Sequence, residues 1–167
     1  PAPRSTQPSG KGYRRIPSAS LQEWLPARFF GQSAPLRGKE VALMRTTLAT
    51  MQSRLNDSPH LLRLGRLFSE TVLIEVDGAE YYLTFRDGRL EQIAEGASRK
   101  TPWRFGFRTD AEALARFWQP RPAPGFHDIF GLVKIGRGRI DGDILTLVKN
   151  LRFFKEFMAL ARKEDLA

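Results

Sequence analysis

Cysteine is missing from all 167 residues, so no disulfide framework, thiolate nucleophile or Cys-based metal site exists in this chain. Histidine occurs only twice, at His60 and His127, and two isolated imidazoles make no metal site. His127 and Asp128 are adjacent, which on a helix points the two side chains apart, and no Gly-x-Ser-x-Gly elbow occurs. The parts of a hydrolase are absent, and we expect no enzyme, no cofactor and no metal. Long apolar runs are missing too: none reaches the roughly 18 residues of a membrane span, and no apolar block of a signal peptide stands near Pro1. A cytoplasmic protein is the expectation, peripheral to a membrane at most.

Apolar and aromatic residues are plentiful: 41% of the chain is hydrophobic, with twelve Phe and three Trp, enough for one real core. Charge is lopsided. Residues 1–39 hold seven Lys and Arg against one Glu, which places +6 of the net +9 there. The first twenty residues are rich in Pro, Ser, Gly and Arg without apolar periodicity, as in a partly disordered arm that attracts an anionic partner or only solubilises the chain. We therefore divide the chain into a basic arm over 1–39 and one domain over 40–167. Within the arm, Arg14, Arg15 and Arg28 flank Trp24, Phe29 and Phe30, a combination that can hold a membrane interface transiently. The same aromatics could equally fold back over the domain as a lid or brace.

Periodicity then sets the order of elements. Val41, Met44, Leu48, Met51 and Leu55 recur at three and four residues, the stripe of an amphipathic helix. Ser58 caps a second helix with Pro59 in its first position. From Glu70 the pattern becomes strand-like, with turns at Asp77-Gly78 and Asp87-Gly88 between β-rich runs, which predicts a meander. A fourth strand over 102–108 puts Trp103, Phe105 and Phe107 on a buried face and Arg104 and Arg108 on a wet one. Thr109 and Glu112 have the spacing of a capping box for a helix through Trp118. After a Pro-rich loop, Phe126 to Val133 predicts a short helix and Arg137 to Asp141 a last strand. Asp143 caps one long final helix over Ile144 to Arg162, whose apolar face is broad and rich in Phe and Met.

The run Gly136-Arg137-Gly138-Arg139-Ile140-Asp141-Gly142-Asp143, leading straight into that helix, resembles the sterol carrier protein type-two family. There a glycine-started strand of basic and aliphatic residues ends in Gly-Asp before the C-terminal helix. Val76-Asp77-Gly78, Tyr82-Leu83 and Asp87-Gly88 are similar to its opening hairpin, and Asp110 to Trp118 to the helix before its ligand tunnel. The resemblance runs from about Val41 to Leu160. It implies an α+β fold: about five mainly antiparallel strands, helices packed on one face, and a hydrophobic tunnel for a lipid-like ligand. Enclosing half of a long acyl chain, at roughly 0.8 kcal/mol per methylene, would dominate affinity. By analogy the lining is Phe105, Phe107, Phe117, Trp118, Phe126, Phe130, Leu147, Leu151 and Phe154, with Lys134 and Arg139 as candidate polar anchors. The Pro-rich insert at 121–125 and the basic arm depart from the family pattern. Stand-alone bacterial members include accessory factors of quinone synthesis, and Leu147 to Leu151 is similar to what that subgroup would carry. The alternatives are a protein-interaction scaffold and a nucleic-acid-binding module that uses the basic arm and Arg104-Phe105-Gly106-Phe107-Arg108, which has some likeness to an RNA-stacking strand. Nucleic acid is disfavoured, since the expected leading glycine and trailing aromatic are missing and most excess charge lies in the arm.

Overall fold

The structure, a computed structural model, describes residues 38–96 and 101–162. In chain order they form α1 (Gly38–Asn56), α2 (Pro59–Leu64), β1 (Thr71–Val76), β2 (Ala79–Arg86), β3 (Arg89–Glu95), β4 (Phe105–Thr109), α3 (Ala111–Phe117), α4 (Ile129–Lys134), β5 (Gly138–Gly142), α5 (Ile144–Lys149) and α6 (Leu151–Ala159). The sheet order is β3-β2-β1-β4-β5. Three of its four pairings are antiparallel, and β1 with β4 is parallel.

The meander forms where the sequence places it. Asp77 and Gly78 have φ of 47° and 81°, and Asp87 and Gly88 have 48° and 79°. Two successive left-handed residues twist a two-residue turn to match its strands, and Asp-Gly tolerates that conformation. The register then puts side chains in rows across the sheet. Val72 lies opposite Leu83 and Phe105, and Ile74 opposite Tyr81 and Phe107, with Ile140 beyond Phe107. All helices that contribute to the buried core pack on this face. Met44, Leu48, Met51 and Leu55 of α1, Phe117 of α3, and Phe153, Phe154 and Phe157 of α6 join it in a single cluster.

The other face carries an ion-pair ladder. Arg108 bridges Glu75 on one side and Asp141 at 2.7 Å on the other, and Arg139 reaches the second oxygen of Asp141 at 2.7 Å. Burial pushes the Asp141 carboxyl up, but the hydrogen bonds from Arg139 and Arg108 outweigh it and hold the group below its ordinary range. The alternation in the fourth strand predicts a wet face here, and the structure corrects this in part: Leu73 and Tyr82 project from it and are buried.

Three local expectations are corrected. The fourth strand begins at Phe105 rather than Pro102, and Trp103 precedes it. The cap of α3 is Asp110, not Thr109. Asp110 Oδ1 accepts from the Ala113 amide at 2.8 Å, while the Thr109 hydroxyl donates to the Arg137 carbonyl at 2.7 Å and Glu112 pairs with Arg116 and Arg137. A carboxylate beside Arg137 is the stronger acceptor for an orphan amide, so it takes the cap. Finally, the last helix is two helices. Asn150 leaves helical geometry at φ −113° and ψ 20°, its side chain donates to the Thr146 carbonyl at 2.9 Å, and α6 starts afresh at Leu151. An asparagine that bonds back to the preceding turn competes with the helix, which apolar periodicity does not register.

Candidate functional site

The inner layer is built from aromatic rings in mutual contact. Phe68 of the α2–β1 connection lies 5.2 Å from Phe85 and 5.4 Å from Phe153. Phe85 meets Phe157 edge-on at 5.2 Å, and Phe105 meets Phe154 edge-on at 5.1 Å. Such tilted and edge-on pairs place the positive ring edge against the negative face, and each adds about 0.5–1.5 kcal/mol beyond burial. Gly65 closes the seam: a Cβ there would fall 2.4 Å from the Phe153 ring.

The expected lining residues divide between the middle and the rim of this layer. Phe105, Phe107, Phe117, Phe126, Leu147 and Phe154 are buried, and Trp118, Phe130 and Leu151 are partly buried against them. Phe105 and Phe154 touch, joining β4 to α6. At the rim, Trp118 donates its indole N–H to the Met158 carbonyl at 2.9 Å. Arg162 stacks over Phe117 at 4.6 Å and donates to the carbonyls of Phe117 and His127. The sequence had singled out Phe117 and Trp118 but gave no sign of this arginine, because the contact spans 45 residues. Phe105 and Phe107, at 0% and 1% exposure, offer no face on which a base could stack.

Asp128 caps α4 through the Gly131 amide at 2.8 Å and accepts from Lys155 at 2.7 Å, fastening α4 to α6. Its neighbour His127 thus has no acid partner in it. Asp110 is held likewise by Arg137, with contacts of 2.8 and 2.5 Å. Partial burial raises both carboxyls, yet the charged donors and the capped amides prevail and leave both below the usual range. The Arg137 guanidinium is raised in turn by Asp110. These are braces around the layer. The candidate anchor Arg139 is engaged with Asp141 on the opposite face of the sheet, and Lys134 ends α4. Among the described residues no group of three His, Asp or Glu is placed to hold a metal ion, and no helix is long and apolar enough to cross a membrane. The arm residues Arg14, Arg15, Trp24, Arg28, Phe29 and Phe30 lie outside the described residues.

A second feature lies toward the β3 edge. Val41, Gly78, Ala79, Glu80, Tyr81, Glu95 and Gly96 line an open pocket of about 300 Å³. Beside it Arg45 of α1 grips both oxygens of Glu95 at 2.6 and 2.5 Å. That hydrogen bonding, more than the accompanying charge attraction, lowers the Glu95 carboxyl. Tyr81 is buried, and its hydroxyl has no hydrogen-bond partner. Burial and the nearby Glu95 charge both push that phenol up.

No sequence-family model and no curated protein matches this sequence. In three dimensions the chain is similar to a crystal structure of sterol carrier protein 2, with a TM-score of 0.57 and 13% identity over 71% of this chain and 95% of that one. A solution structure of a candidate sterol carrier protein from Thermus thermophilus gives 0.54 and 14% over 71% and 90%. A protein described as the UbiJ-SCP2 ubiquinone synthesis protein gives 0.50 and 17% over 74% and 98%. The fold is that of sterol carrier protein 2, as the Gly-Asp run and the paired turns imply, and at these identities the likeness concerns the fold.

Proposed function

We propose that this chain binds and transfers a hydrophobic lipid-like ligand, of fatty acyl, sterol, isoprenoid or quinone type, without catalysing a reaction. The observation that carries the reading is the chemistry of the inner layer. Where β4 faces α3 and α6, the side chains are Phe, Leu, Ala and Met, and their few polar neighbours are braces at the rim. A ligand admitted there meets only apolar walls, so burial rather than hydrogen bonding would supply its affinity. In this reading Phe105, Phe107, Phe117, Trp118, Phe126, Phe130, Leu147, Leu151 and Phe154 part to form a tunnel. The fold supports the class of ligand, and an accessory role in quinone synthesis in the cytoplasm is the narrower form of the proposal.

Native mass spectrometry of the purified chain, followed by organic extraction, tests it. A retained isoprenoid or fatty acid, or saturable uptake of the fluorescent fatty acid cis-parinaric acid, is the expected result. An unliganded protein that takes up none of that probe would sink the reading.

We also propose transient contact between the basic arm and an anionic membrane, through Arg14, Arg15, Trp24, Arg28, Phe29 and Phe30. Sedimentation with vesicles containing phosphatidylserine is expected to fall several-fold in the triple variant Trp24→Ala, Phe29→Ala, Phe30→Ala, and unchanged sedimentation removes the arm from the proposal.

A further inference from the structure

Tyr81 lines the pocket at the β3 edge, and the fold leaves its buried hydroxyl without a partner. Tyr81 stands in β2 between Ile74 of β1 and Glu95 of β3. Its ring belongs to the core, at 1% exposure, yet the hydroxyl finds no acceptor. A phenol buried without a partner loses the hydrogen bonds it had in water and gains none, so Phe would serve packing better at this position. The natural acceptor is close by in Glu95, but Glu95 turns both oxygens to Arg45.

We propose that this pocket is a binding site for a neutral amphiphile bearing one carbonyl or hydroxyl oxygen, which accepts the Tyr81 hydrogen bond while Arg45 keeps Glu95 occupied. The apolar body of the ligand would rest on Val41, Ala79 and the Gly78 and Gly96 backbone, within the space of about 300 Å³. Neutrality follows from the charges in place. A carboxylate ligand would face Glu80 and Glu95, which both line the pocket, and an ammonium would compete with Arg45 for Glu95. The site is separate from the layer between β4, α3 and α6, because Tyr81 and Glu95 lie on the other side of β1.

The test is a titration of the full ¹⁵N-labelled chain with 2-octanone and, separately, with octanoate. Saturating shifts at the amides of Gly78, Ala79, Tyr81 and Gly96 are expected with 2-octanone, and at least tenfold weaker binding with octanoate. Tyr81→Phe, which removes the donor and keeps the ring, should bind 2-octanone about three- to tenfold more weakly while melting no lower than the parent chain. Val41→Trp, which fills the mouth, should abolish the shifts and leave cis-parinaric acid uptake unchanged. The proposal is overturned if those four amides do not respond, if Tyr81→Phe binds equally well, or if octanoate binds as tightly. Loss of cis-parinaric acid uptake in Val41→Trp would also overturn it, since the two sites would then be one. Absence of that uptake in the parent chain would instead count against the lipid-carrier reading alone.

Discussion

Replacing Phe154 by alanine probes the inner layer at one of its fully enclosed rings. The ring is 0% exposed, meets Phe105 edge-on at 5.1 Å, and has Phe157 at 6.1 Å. Truncation removes the phenyl group from contact with both β4 and its own helix. Losses of this kind cost about 3–5 kcal/mol when the surroundings do not collapse into the space. Of that, about 0.5–1.5 kcal/mol is the edge-on pair itself. A domain of this size is stable by about 5–15 kcal/mol, so the variant should still fold. With a slope of about 2 kcal/mol per M of urea, its unfolding midpoint, followed by circular dichroism, should fall by about 2 M. Benzene, which enters dry apolar cavities, should restore part of the loss. A loss below about 1 kcal/mol would refute the reasoning, because it would mean that the ring is not held between β4 and α6.

Other consequences are as direct. Asp110, Asp128 and Asp141 have carboxyl groups lowered in the folded chain, so the stability they add is present above their unfolded value of about 3.9 and is lost as pH falls through the lower folded values. Urea midpoints should be nearly level between pH 7 and 5 and drop below about pH 4, with Asp110→Asn flattening part of the drop. Gly65→Ala keeps an allowed backbone, with φ at −88°, but drives a methyl into the Phe153 ring, and should cost about 1–3 kcal/mol in urea unfolding, partly recovered with Phe153→Leu. Gly142→Ala meets both objections at once, a φ of +86° and a Cβ 2.6 Å from the Arg104 carbonyl oxygen, and should lower the melting temperature more than Gly65→Ala does.

The sequence was informative wherever the physics is local. The two Asp-Gly turns, the Ser58 and Asp143 caps, the α1 stripe and the inward set of Phe105 and Phe107 all follow from spacing of a few residues. The final helix was misread as one rod for the same reason: its apolar positions continue through Asn150, and hydrophobic period does not sense a side chain that bonds backward. Partnerships between distant residues were beyond local pattern. Nothing near Thr109 shows that Arg137 will stand beside Asp110, and nothing near Phe117 shows that Arg162 will cover it. The pocket at Tyr81 was missed because Tyr81 reads as an ordinary strand aromatic; its isolation appears only once Glu95 is seen committed to Arg45.

The helix α6 supplies Phe153, Phe154 and Phe157 to rings from β2 and β4, and it follows every strand in the sequence. During synthesis, therefore, Phe68, Phe85 and Phe105 leave the ribosome before the segment that shields them. The nascent sheet passes through an interval with its greasy side bare, when chaperones would engage it and when slow translation near its end would favour aggregation.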